Sequence, residues 1–399
     1  MTDANQTRGK PFGTKQMIAS PVRRGRSAGG ALSVQPARQT EGSPPAKAKA
    51  PGEVRSIQYL RGIAAFGVLI YHAVDRAGGA FGVGAAGVDV FFVISGFIMW
   101  VVTCRRPPSP GQFLLRRVER IVPLYWMVTL GVAAIAVLVP AAFPAMKPTL
   151  SHVAQSLLFV PHHDAQGLIA PLIVPGWTLN YEMFFYLLFA VGLLAPAKLR
   201  PWVVSAALVA LVAIRPLGDV QNPVWATYTN PLLLEFGAGV WLGKCWSENR
   251  LPGRGLSWAM IAAGVAGFVA VSLAGIDVEP ARILYWGLPA ALLVTGAVSL
   301  ERHGRIADWP PLRALGDASY SVYLVHGLAI SAAFRALQMA HVTAPAVVLP
   351  VSLIVGVVAG LATYRLVEKP LMRLFKTGLG AHRPKAPTPL AGVAPAPDA

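Results

Sequence analysis

The chain has 399 residues, of which 54% are hydrophobic and only 13% charged, and its mean hydropathy is +0.53. That balance excludes an ordinary soluble domain. A net charge of +17 invites a nucleic-acid reading, but the lysines and arginines are scattered through helix-flanking loops and both tails, and no basic module with interleaved aromatics is visible, so no nucleic-acid partner is expected.

Apolar runs long enough to cross a bilayer of roughly 30 Å recur along the chain, each needing about 20 residues as helix. Backbone polar groups must be satisfied inside lipid, so these runs are helices. They lack the two-residue alternation of a membrane barrel. The expected fold is all-α: a polytopic integral membrane helical bundle in the lipid bilayer.

Residues 1–54 are rich in Pro, Gly, Ser, Ala, Lys and Arg and poor in branched apolar side chains, which predicts a disordered basic tail. Its charge suits either topology setting or contact with anionic headgroups. The membrane domain is expected over 55–376, followed by a disordered Pro/Ala-rich tail over 377–399. Within the domain the pattern predicts about ten helices, near 57–74, 87–104, 121–140, 177–195, 201–215, 231–247, 256–274, 282–300, 319–338 and 346–366. Trp100, Trp126, Trp202, Trp241 and Trp286 fall near their ends, where interfaces are expected. With the N-terminus inside, only Arg76, Lys147, Arg215, Arg282 and Arg335 fall outside and Arg61 lies within a helix. The rest of the 35 basic residues are cytoplasmic, so both termini are expected there. Cys104 and Cys245 then sit near cytoplasmic helix ends, where disulfides are rare, and read as packing residues.

Ionisable residues inside membrane helices mark function by default. The first helix, SIQYLRGIAAFGVLIYHAV, embeds Arg61 and His72. Eleven residues is three turns plus about 20°, so both project from one face, separated by about 16 Å along the axis. Alone, Arg61 reads equally as a snorkelling anchor and His72 as a helix–helix hydrogen bond. Their shared face favours a common polar cavity, in which His serves as base or nucleophile and Arg holds phosphate. Next, GVDVFFVISGF places Asp89 in the first turn of the second helix, where it complements the helix dipole.

The longest outer connection, about 141–176, carries His152, His162 and His163 without the carboxylate or cysteine spacing of a metal site, so no metal is expected. Before it, FLLRRVERIVPLYW sets Arg117 and Arg120 three apart, one cationic surface that serves either as topology charge or as a grip on coenzyme phosphates, with Pro123 at the start of the membrane helix. GWTLNYEMFFYLLF then puts Glu182 inside a helix, with Tyr186 on its face; a structural pair with an arginine and a catalytic part are equal readings. In ASYSVYLVH, Tyr320, Tyr323 and His326 form one stripe. Glu368 in YRLVEKPLMRLF reads as a structural cap.

These segments, in this order, resemble the acyltransferase-3 family of bacterial membrane acyltransferases. The match runs from about 55 to 375 through IQYLRGIAA with its following His, GVDVFFVISGF, FxxxRxxRIxP, WTLxxE and SYSxYLxH. The start looks most like the exopolysaccharide-production acetyltransferases of that family. The resemblance implies an enzyme of the bacterial inner membrane that takes an acyl group, usually acetyl, from cytosolic acyl-CoA, a donor substrate and not a resident cofactor. The acceptor is a sugar hydroxyl of a lipid-linked or surface saccharide. It implies catalysis at Arg61 and His72, assisted by Glu182, and donor binding at Arg117, Arg120 and Arg61. Asp89, Tyr320, Tyr323 and His326 would line the substrate channel. The pattern leaves the oligomeric state open. The rival class is a flippase for lipid-linked sugars, since intramembrane Arg, His and Glu suit a transport path; against it, no inverted repeat is visible.

Overall fold

A computed structural model describes residues 54–142, 146–304 and 306–379, and among them every regular element is helical. The tails expected over 1–54 and 377–399 fall almost wholly outside the described residues. In chain order the helices are α1 (Arg55–Arg76), α2 (Gly87–Thr103), α3 (Pro110–Leu138), α4 (Leu150–Leu157), α5 (Gly176–Gly192), α6 (Arg200–Ala213) and α7 (Pro223–Tyr228). They continue as α8 (Leu233–Ser247), α9 (Arg254–Ala274), α10 (Leu288–Arg302), α11 (Pro310–Asp317), α12 (Ser319–Met339), α13 (Pro345–Thr363) and α14 (Lys369–Leu379). π-helical turns at Ile283–Gly287 and Tyr364–Glu368 lead into α10 and α14.

All ten expected helices are present, and among the described residues eight spans are long and apolar enough to cross a membrane. The chain is a multi-pass membrane protein. The other two expected helices, α5 and α8, have 17 and 15 residues. They form the centre of the bundle, where Phe185, Phe189, Phe236 and Val240 are fully buried.

Local chemistry sets the helix ends. Ser109 accepts from the Gln112 amide and Pro110 stands in the first turn, so α3 starts eleven residues before the expected boundary. This corrects the placement of Pro123, which lies inside α3, and makes Arg117 and Arg120 part of a continuous helix. Proline is tolerated within a membrane helix where neighbours re-satisfy the freed backbone groups. Trp100 and Trp286 pack against protein, being 5% and 7% exposed. The Trp100 Nε1–H donates to Ser247 Oγ at 3.0 Å, which satisfies its polar edge inside the protein.

Helix α2 is held against α8 by glycines. A Cβ on Gly96 would sit 2.0 Å from the Phe236 carbonyl oxygen, and one on Gly239 would sit 2.0 Å from that of Val93. Only glycine permits this approach, and it brings α2 and its side chains to the middle of the bundle.

Candidate active site

Five helices converge on a cavity of about 170 Å³. Helix α1 contributes Arg61, α2 Ser95, α3 Arg117 and Arg120, α5 Thr178, Glu182 and Tyr186, and α12 Tyr320 and Tyr323. Residues distant in sequence meet here because each helix turns a polar side chain inward from an otherwise apolar surface. The Glu182 carboxylate accepts from Ser95 Oγ at 3.1 Å and from the Tyr186 hydroxyl. Arg61 lies within electrostatic reach of Arg120, Glu368, Glu182 and Tyr186. Arg117 stands over the Phe113 ring at 5.8 Å, with its Nε buried and without a hydrogen-bond partner among the described residues. Three guanidinium groups and one hydrogen-bonded carboxylate thus share one enclosure.

Arg120 has a partner that the sequence pattern did not reveal. Its Nη1 lies 3.8 Å from Glu368 Oε1, and Glu368, only 2% exposed, also accepts from the Ser321 hydroxyl. Glu368 ends a π-helical turn, a distortion frequent at functional sites. It is absent from the cavity lining itself and meets the site through Arg120. Tyr320 donates to the Ile121 carbonyl oxygen at 2.7 Å, and the Tyr323 and Thr178 hydroxyls are 3.0 Å apart.

Asp89, expected in the channel, is fully buried and absent from the cavity lining. Arg282 grips it through two hydrogen bonds, Nε to Oδ1 at 3.1 Å and Nη2 to Oδ2 at 2.9 Å. Glu235 is a close electrostatic neighbour of both, and the Arg282 guanidinium lies over the Trp286 ring at 4.8 Å. This is a second polar cluster. Glu235 was legible by the rule that singled out Glu182, being an acid within the apolar run LLLEFGAGVW.

His72 and His326 form a third group. Their ring centroids are 5.1 Å apart, and His326 is 5.9 Å from Tyr323. His72 does not line the cavity; Tyr323 does, and it stands next to His326. The structure therefore gathers Arg61, Arg117, Arg120, Glu182, Tyr320 and Tyr323 around one space, and sets Asp89 and the His72–His326 pair outside its lining.

In the connection between α3 and α5, His162 packs edge-on against His152, with centroids 4.8 Å apart, while the His163 ring nitrogens face the Gly167 and Gln221 carbonyls at 3.0 Å. Burial, reinforced by His162, lowers His152 below the ordinary imidazole pKa. Among the described residues no three His, Cys, Asp or Glu side chains are grouped to hold a metal ion. Cys104 and Cys245 are free thiols.

A polytopic helical bundle with basic and acidic side chains enclosed between its helices is the frame of a membrane-embedded enzyme. The family model described as an acyltransferase domain matches residues 54–365, and the chain belongs to that acyltransferase-3 family. It is an acyltransferase, which decides against the flippase reading. The exopolysaccharide production protein ExoZ of Rhizobium meliloti (strain 1021) is 42% identical over 306 residues, 76% of this chain and 95% of that protein. The acyltransferase MdmB of Streptomyces mycarofaciens is 29% identical, covering 77% of this chain and 84% of its own. The peptidoglycan O-acetyltransferase OatA of Listeria monocytogenes is 27% identical over 68% of this chain, which spans only 49% of that larger protein. No solved structure matches the chain.

Proposed function

We propose that this protein is an O-acetyltransferase of the bacterial inner membrane, with both termini cytoplasmic, that moves acetyl from cytosolic acetyl-CoA to a sugar hydroxyl of a surface or lipid-linked saccharide. The observation that carries this reading is the enclosure of Arg61, Arg117 and Arg120 around one cavity with Glu182. Planar guanidinium donors suit phosphate oxygens, and the coenzyme carries several. The cavity, about 170 Å³, is below the roughly 300–1,000 Å³ of pockets that hold a whole small molecule. Its arginines suit the phosphate-bearing end of a long donor, whose flexible arm carries the acyl group on toward His72. The saccharide acceptor is supported by the names of two relatives, one an exopolysaccharide production protein and the other a peptidoglycan O-acetyltransferase.

In this reading one ring nitrogen of His72 takes the proton of the acceptor hydroxyl as its oxygen attacks the thioester carbonyl. The C–O bond forms, the C–S bond breaks, and the proton passes to the departing CoA thiolate. Arg117 and Arg120 hold the donor phosphates, with Arg61 beside them. The test is thiol release from acetyl-CoA by purified full-length protein in proteoliposomes that contain an extract of lipid-linked saccharides. Arg117→Ala is expected to raise the KM for acetyl-CoA tenfold or more, and His72→Ala to lower kcat about 100-fold or more. Wild-type kinetics in both variants would refute the proposal.

A further inference from the structure

His326 holds a buried lone pair that no group among the described residues uses. It is fully buried on α12, and its Nδ1 lies 2.6 Å from the carbonyl oxygen of Tyr323. A carbonyl only accepts, so Nδ1 carries the hydrogen and donates it. The remaining nitrogen of the neutral ring, Nε2, is then an acceptor with no hydrogen. Nε2 is buried and has no hydrogen-bond partner among the described residues. Such groups are rare in folded proteins and call for an explanation.

The neighbouring ring supplies one. His72 stands with its centroid 5.1 Å from that of His326 and its plane tilted by 34°. Two imidazoles joined edge to edge by an N–H···N hydrogen bond of about 2.9 Å place their centroids roughly 5 Å apart. The rings stand at the separation that such a bond requires. Catalytic hydrogen bonds are often loose before substrate binds and tighten with it.

We infer that His326 is a positioning residue: its Nε2 accepts a hydrogen bond from one ring nitrogen of His72, fixing the tautomer that leaves the other His72 nitrogen bare to take the acceptor proton. This rests on the reading of His72 as the transfer group. A carboxylate commonly holds a catalytic histidine this way; here a neutral imidazole, locked by the Tyr323 carbonyl, takes that place without burying another charge. As His72 takes the hydroxyl proton, its positive charge is shared along the hydrogen bond to His326, and the proton leaves with the CoA thiol. The arrangement also ties the pair to the cavity, because Tyr323 both lines it and supplies the carbonyl that orients His326.

Two amide substitutions separate the two nitrogens. The Asn side chain reaches the place of Nδ1 and keeps the bond to Tyr323, whereas the Gln side chain reaches the place of Nε2 and presents an acceptor to His72. In the acetyl-CoA thiol-release assay, His326→Asn is expected to lose at least 30-fold in kcat with the KM for acetyl-CoA within about twofold, and His326→Gln to recover tenfold or more of that loss. Asn outperforming Gln would assign His326 to holding the Tyr323 carbonyl and overturn the inference, as would equal rates in the two folded variants. A nitrogen-15 NMR spectrum of histidine-labelled full-length protein needs no His326 variant. The Nε2 resonance is expected to move when His72→Phe removes the donor, and an unmoved resonance overturns the inference. Should His72→Ala keep full activity, the reading of His72 itself fails. Should His72→Ala be inactive while His326→Asn runs at the wild-type rate, only the role of His326 fails.

Discussion

Arg282 is the cation against which two buried carboxyl groups are set, and its removal is therefore predicted to cost more than removal of either acid. Asp89 is fully buried and Glu235 is 2% exposed, whereas the Arg282 side chain is 11% exposed. Asp89→Asn keeps the shape and one acceptor oxygen, and Arg282 retains Glu235 nearby and Glu279 at 3.2 Å. The loss is then about one charge-assisted hydrogen bond, roughly 1.5–3 kcal/mol. Arg282→Met preserves apolar contact with Trp286 but leaves two carboxyl groups buried together without their cation. Breaking a buried pair that way costs about 3–5 kcal/mol. The gap of about 2 kcal/mol is roughly a 30-fold difference in the unfolding constant. Tryptophan fluorescence during denaturant titration of purified protein follows unfolding, with Trp177 and Trp286 among its reporters at 6.0 and 4.8 Å from the guanidinium. An Asp89→Asn variant as unstable as Arg282→Met would refute the idea that Arg282 serves both acids.

Two further predictions follow from packing and pairing. Gly239→Val is expected to cost about 1–3 kcal/mol and lower acyl transfer, because its Cβ would lie 2.0 Å from the Val93 carbonyl oxygen and force α2, which carries Ser95, away from α8; a wild-type unfolding midpoint would contradict this. Glu368→Gln is expected to cost about 1 kcal/mol and Glu368→Ala about 3, since Gln still accepts from Ser321 whereas Ala strands both Ser321 and Arg120. Equal costs in the same titration would show that the ion pair alone matters.

The amino-acid sequence by itself determined the helical architecture. Lipid leaves the backbone no partners but its own, so every long apolar run had to be a helix, and all ten expected helices are present. It also marked most of the site, because a charge in an apolar helix is costly: Arg61 and Glu182 stood out for that reason, and both line the cavity. Helical periodicity states which side of a helix a residue occupies, not what stands opposite. Only the tertiary structure decided that Asp89 meets Arg282, 193 residues away, that Glu368 turns inward to Arg120, and that His72 stands beside His326 outside the cavity lining. It also decided that α5 and α8 are the short, buried centre of the bundle. These outcomes depend on how closely helices approach, which glycines such as Gly96 and Gly239 control through contacts that no local pattern encodes.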